Sequence, residues 1–151
     1  MAAPFRKLHH ICIVVRDMEA SVAYYESLGM GPWEPFPPMT DIVDLNMPDD
    51  EAFLAIEYRY LALENVVIQL CAPPPGASPQ RAFLETRGEG VFQIGFESSL
   101  AAGEAEAAEV GLSVLMSGRR TNGTGFTYFD TLDDTGVVWM IRQTVPDRPS
   151  E

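Results

Sequence analysis

LHHICIVVRDMEASVAYYESLGM, residues 8–30, decides how this chain is read, because VFQIGFESSLAAGEAEAAEVG, residues 91–111, runs through the same plan. Each copy opens on a strand-like run, passes a polar turn, continues as an amphipathic helix and stops at a glycine, Gly29 or Gly111. His10 and Gln93 fall at matching places in the two opening strands, each followed by Ile. A duplicated strand-helix unit with a polar side chain in register in both copies points to a site built from repeated half-domains.

Working outward, Asp17 is a natural N-cap for a helix over about residues 18–28, with Val22, Tyr25 and Leu28 on one face. Residues 31–50 (GPWEPFPPMTDIVDLNMPDD) form a Pro- and Asp-rich excursion holding a short strand or two; such excursions commonly serve as lids or ligand walls. AFLAIEYRY and NVVIQLC then read as two strands of a hairpin, turning near Leu61 to Glu64. Ser78 and Pro79 open a linker helix that ends at Gly88. The second half reads as strand 91–97, helix 99–110, strand 112–116, a Gly-rich loop, and strands 125–130 and 137–143. The expectation is an α+β fold of two βαβββ modules, residues 7–72 and 90–143. Their curled mixed sheet would enclose a cleft within a single domain spanning 1–151. Residues 79–87 would link the modules, and 144–151 would form a frayed tail.

The 151 residues are 46% hydrophobic, enough for a full core, and no run suits a membrane span. The start MAAPFRK lacks the apolar stretch of a signal peptide, so a cytoplasmic location is expected. A formal net charge of −12 argues against a nucleic-acid partner, whose phosphates demand a basic face. Arg119 and Arg120 are the adjacent arginines where an anionic ligand group would be met. Cys12 and Cys71 lie inside apolar strand patterns and read as buried free thiols, with no zinc-ligand spacing around them.

Strand alternation assigns faces. Ile11, Ile13 and Val15 would pack on helix, leaving His10, Cys12 and Val14 opposite. Val66, Ile68 and Leu70 leave Gln69 opposite, and Phe92, Ile94 and Phe96 leave Gln93 opposite. In residues 52–60, Leu54, Ile56 and Tyr58 would pack on helix while Phe53, Glu57 and Arg59 face the site. His10, Gln69, Gln93 and Glu57 are therefore the polar candidates. Trp33, Phe36, Phe53 and Met140 are candidate apolar walls of a substrate pocket.

LHHICIVV with its helix, IQLCAPP, PQRAFLETRGEGVFQIGFES and GTGFTYFDTLDDTGVVWMI together resemble the vicinal oxygen chelate superfamily (glyoxalase I, extradiol dioxygenases, bleomycin-resistance proteins), and most closely its methylmalonyl-CoA epimerase-like members. The resemblance runs from about residue 7 to 143. It implies a fold that commonly forms a homodimer and a divalent metal (Mg, Mn, Co, Ni or Zn) held by four inward side chains. His10 and Gln69 match two of those positions, whereas Gln93 and Met140 stand where the family usually has His and Glu. His, Gln, Gln and Met bring no carboxylate, and a thioether is a poor ligand for hard cations, so a site without any metal is an equal alternative.

Three activities remain open on the sequence. One is a lyase or isomerase moving a proton on a small carbonyl or polyketide-like substrate, with His10 and Glu57 as acid-base groups. A second is a metal-free binding or resistance protein for an aromatic metabolite or antibiotic. The third is a metal-dependent acyl-CoA epimerase, disfavoured by the scarcity of basic residues. The orientation of Glu57 discriminates the first two.

Overall fold

The computed structural model describes residues 4–147. Its elements follow in the order β1 (Lys7–Val14), α1 (Met18–Ser27), β2 (Glu34–Pro35), β3 (Asp44–Asn46), α2 (Asp50–Leu54), β4 (Glu57–Ala62), β5 (Val67–Ala72), α3 (Pro79–Arg87), β6 (Gly90–Glu97), α4 (Leu100–Glu109), β7 (Val114–Arg119), β8 (Gly125–Phe129), α5 (Leu132–Thr135) and β9 (Val138–Gln143). β1 pairs in parallel with β5, while β4 with β5 and β8 with β9 are antiparallel. The fold is α+β with mixed sheet pairing. No helix among the described residues is long and apolar enough to cross a membrane.

Packing divides the chain into two compact units. The first comprises His10–Pro38 and Pro48–Gln93; the second holds the described residues up to His9, Met39–Met47 and those from Ile94 onward.

In the first unit the strands lie in the order β2-β4-β5-β1. A hairpin closed by the Leu63 N–H donating to the Val66 carbonyl at 2.9 Å sets Ala62 against Val67, Tyr60 against Gln69 and Tyr58 against Cys71. On the other side of β5, Cys12 stands beside Gln69 and Val14 beside Cys71. One face of these strands carries Ile13, Val15, Leu61, Ile68, Leu70 and Ala72, which pack with Met18, Val22 and Tyr25 of α1 and with Trp33. Asp17 starts α1 as the sequence indicates, its carboxylate accepting from the Ala20 N–H at 3.0 Å. Ser78 does the same for α3, accepting from the Arg81 N–H at 3.0 Å, with Pro79 in the first turn.

The run AFLAIEYRY departs from expectation. Its first half is not strand: Asp49 caps a short helix, accepting from the Ala52 N–H at 3.1 Å, and Asp50 and Glu51 supply the negative charge that a helix N-terminus favours. Strand begins only at Glu57, so alternation counted from residue 52 assigns the wrong face throughout β4.

In the second unit the order is β6-β9-β8-β7-β3, with β6 contributing Ile94–Glu97 while its Gly90–Gln93 portion belongs to the first unit. β3, from the Pro-rich excursion, pairs antiparallel with β7, Asp44 opposite Arg119. Phe96, Leu100, Ala107, Phe129 and Ile141 form the core, with Phe5, Ile94, Leu112 and Trp139 packed against them. The Phe96 and Trp139 rings stack at 5.5 Å. α4 reaches this core through Gly103, where a Cβ would lie 2.7 Å from both Ile141 Cδ1 and Ser98 Oγ.

Gly103→Ala therefore gains about 1 kcal/mol in helix propensity but forces an overpacking cost of about 1–3 kcal/mol. Thermal melting should show a net loss of stability. A variant melting above the parent would mean that α4 does not approach β9 this closely.

Candidate functional site

Opposite the α1-packed face, the first unit carries His10, Cys12, Gln69, Cys71, Tyr58 and Tyr60 on one surface, as the strand registers require. Gln93, from β6, joins them: its Nε2 lies 2.9 Å from His10 Nε2. His10 and Gln93 are each 1% exposed and Gln69 is 6% exposed. In this orientation the amide N–H donates to His10 Nε2. Nε2 accepts in the tautomer that carries the ring proton on Nδ1. The amide's other atom, Gln93 Oε1, is buried without a hydrogen-bond partner. An unpaired buried acceptor costs about 1–3 kcal/mol, a cost that a donor on a bound molecule would offset.

The two thiols on this surface are fully buried and unoxidised. Donation of the Cys71 S–H to Cys12, reinforced by burial, pushes the Cys71 pKa well up, so it stays protonated and is no nucleophile at neutral pH.

Phe36, just past β2, adds an aromatic wall. Its ring lies 5.8 Å from that of Tyr58 and 6.1 Å, edge-on, from that of Tyr60. The alternation expected from the sequence sets Tyr58 on the helix-packing face and leaves Tyr60 unassigned, whereas both stand on the His10 surface. The signal that identifies them is the alternation Tyr58-Arg59-Tyr60-Leu61 counted from the true start of β4.

Other expected site residues fall elsewhere. Glu57 stands opposite Ala72, on the α1-facing side of the hairpin, and its carboxylate meets Arg59 Nη2 at 2.9 Å. It is not brought to His10. Trp33 is 8% exposed in the α1 core, with its ring 5.4 Å from Tyr25 and its Nε1–H donating to the Met30 carbonyl. Phe53 is buried in α2 at 2% exposure. Met140, Arg119 and Arg120 belong to the second unit. Met140 is buried opposite Tyr128. Arg119 is occupied by Glu104, Thr127 and the Phe126 carbonyl, and Arg120 by Asp41 at 2.7 Å.

Whether the first-unit set suits a divalent metal can be judged from its donors. It offers one imidazole and two neutral amides, and no carboxylate stands in register with them. Among the described residues no three His, Cys, Asp or Glu side chains are gathered as for a metal ion. With no carboxylate to balance a dication in so buried a place, these residues do not fit the group.

The comparisons with known proteins agree with the architecture. Residues 9–129 match the model of the glyoxalase/bleomycin resistance protein/dioxygenase superfamily. The chain belongs to that superfamily. Among solved structures it is similar to methylmalonyl-CoA epimerase from Mycobacterium tuberculosis, at 24% identity over 97% of this chain and 93% of that one, with a TM-score of 0.68. It is similar too to a methylmalonyl-CoA epimerase solved with methylmalonyl-CoA and ammonium, at 21% identity over 93% of this chain and 96% of that one, TM-score 0.68. A hypothetical protein from Bacillus halodurans matches at 18% identity over 95% of this chain and 98% of that one, TM-score 0.66. Identities this low establish the fold alone. The comparison with curated proteins finds no match.

A second polar cluster lies in the second unit. Arg142 Nη1 approaches His9 Nε2 at 2.7 Å, and Arg142 Nε lies 3.3 Å from Glu97. Burial first, then the charges of Arg142 and Lys7, lower the His9 pKa from 6.5 to about 4. Across that window the unfolded chain binds a proton that the folded chain refuses. The resulting stability is complete above the ordinary histidine pKa and is lost as pH falls toward the folded one. His9→Gln removes the term. The parent should therefore lose more melting temperature than the variant between about pH 7 and about pH 4.5. Parallel losses would contradict the depressed pKa.

Proposed function

We propose that the chain is an isomerase-type enzyme of the glyoxalase superfamily that moves a proton on a small carbonyl substrate, with His10 as the proton-handling group and no resident metal. The observation that carries the reading is the buried His10–Gln93 pair, in which Gln93 Nε2 lies 2.9 Å from His10 Nε2 and Gln93 Oε1 has no hydrogen-bond partner. A carbonyl substrate displaces the Gln93 N–H from His10 Nε2. The C–H bond next to the carbonyl breaks, its proton passes to Nε2, and its electron pair forms the enolate. The N–H groups of Gln93 and Gln69 donate to the enolate oxygen, and the imidazolium returns its proton to carbon. A pair of amides in a water-poor place is suited to such charge because its donors need no reorganisation. The fold neighbours acting on methylmalonyl-CoA support an epimerase-like reaction type.

A metal-free binding protein is the second reading, favoured by the position of Glu57, which leaves this surface without a carboxylate to act as His10's acid-base partner.

Deuterium uptake from solvent at the carbon next to the carbonyl separates the two readings. The probes are methylmalonyl-CoA, propiophenone and diethyl ketone, followed by NMR. Proton transfer predicts uptake above buffer background on at least one probe, reduced by about 10²–10⁴-fold in His10→Asn. Background rates on all three, or uptake indifferent to His10→Asn, would leave the binding reading.

A further inference from the structure

We infer that Phe36, Tyr58 and Tyr60 form a recognition subsite for the flat aromatic or conjugated end of an uncharged carbonyl ligand, whose enol or hydroxyl donor is received by Gln93 Oε1. The inference rests on the proton-transfer reading only for which carbon reacts; the recognition itself stands on geometry.

Tyr60 is the register partner of Gln69 and Tyr58 that of Cys71, so both rings rise from the surface that holds His10. Phe36 closes on both, at 5.8 and 6.1 Å, and remains 36% exposed, whereas the other large apolar side chains gathered around Trp33 are turned to the α1 core. Three tilted rings, one still open to solvent, offer a face and edges to a fourth ring, the arrangement that aromatic side chains favour.

The other end of the ligand is defined by a vacancy in hydrogen bonding. Gln93 is 1% exposed and its Oε1 has no donor. A ligand that seats there must bring an O–H or N–H. β4, β5, β1 and β6 are successive neighbours, which puts the tyrosines and Gln93 three strand spacings apart, about 14 Å at the backbone. A ligand that meets both ends therefore lies across β5 and β1.

Charge speaks for a neutral ligand. The arginines of this unit are engaged elsewhere: Arg16 with Glu89, Arg59 with Glu57 and Glu19, Arg81 with Glu85, and Arg87 over the Phe83 ring. None stands in register with Gln69 or the tyrosines, so a phosphate-bearing ligand finds no cation on this surface of the unit.

Benzoylacetone and acetylacetone form a matched pair, both enolised and differing by a phenyl ring. Calorimetric titration should show benzoylacetone binding about tenfold tighter or better. That preference should vanish in Phe36→Ala and Phe36→Leu and persist in Phe36→Tyr, with melting curves confirming that each variant is folded. Equal affinities, no binding of either probe, or a preference that survives Phe36→Ala would overturn the subsite. A ring preference retained in a protein that shows no deuterium uptake would remove the proton-transfer reading and leave the subsite standing. Uptake without ring preference would do the reverse.

Discussion

The row Cys12–Gln69–Tyr60, fixed across β1, β5 and β4 by backbone pairing, is the constraint on which the rest of the site depends. A slip of one residue in either pairing would send Gln69 or Tyr60 into the α1 core and bring Leu70 or Arg59 out. The apolar residues opposite, Val15, Met18, Leu70 and Trp33, forbid that slip because each is buried at 8% exposure or less. The polar surface is thus held by the hydrophobic one behind it.

That division of labour explains what the sequence reveals and what it hides. Asp17 and Ser78 announce their helices because capping is local chemistry, and the faces of β1, β5 and β6 follow from uninterrupted alternation. His10, Gln69 and Gln93 were legible for that reason. β4 was not, since Phe53 and Ala55 imitate a strand pattern while Asp49 has already begun a helix. The error in start position carries through by parity, promoting Glu57 and concealing Tyr58 and Tyr60. Trp33 misled differently. It lies in a Pro-rich excursion, but Tyr25 and the Met30 carbonyl draw it into the α1 core, a tertiary partnership that no local pattern encodes. The excursion also gives up Asp44–Asn46 to β7, a long-range pairing invisible to spacing.

The proposed chemistry differs from a metal-centred one in where the charge goes. A dication would polarise a carbonyl directly and would need carboxylates nearby. A neutral imidazole flanked by amides instead creates a charge pair only while the proton is in transit, imidazolium against enolate, in surroundings where such a pair interacts strongly. In the proposed reaction Gln93 serves both states, holding the resting imidazole through its N–H and turning that donor to the substrate oxygen.

The most direct test of this account is the nitrogen NMR of His10 in isotopically labelled protein, recorded near neutral pH alone and with Mg, Mn, Co, Ni or Zn salts. The account predicts a neutral ring protonated at Nδ1, with Nε2 accepting a hydrogen bond and its signals undisturbed by each cation in turn. A His10 ring that binds one of these ions stoichiometrically through Nε2, with binding lost in His10→Ala, would contradict it.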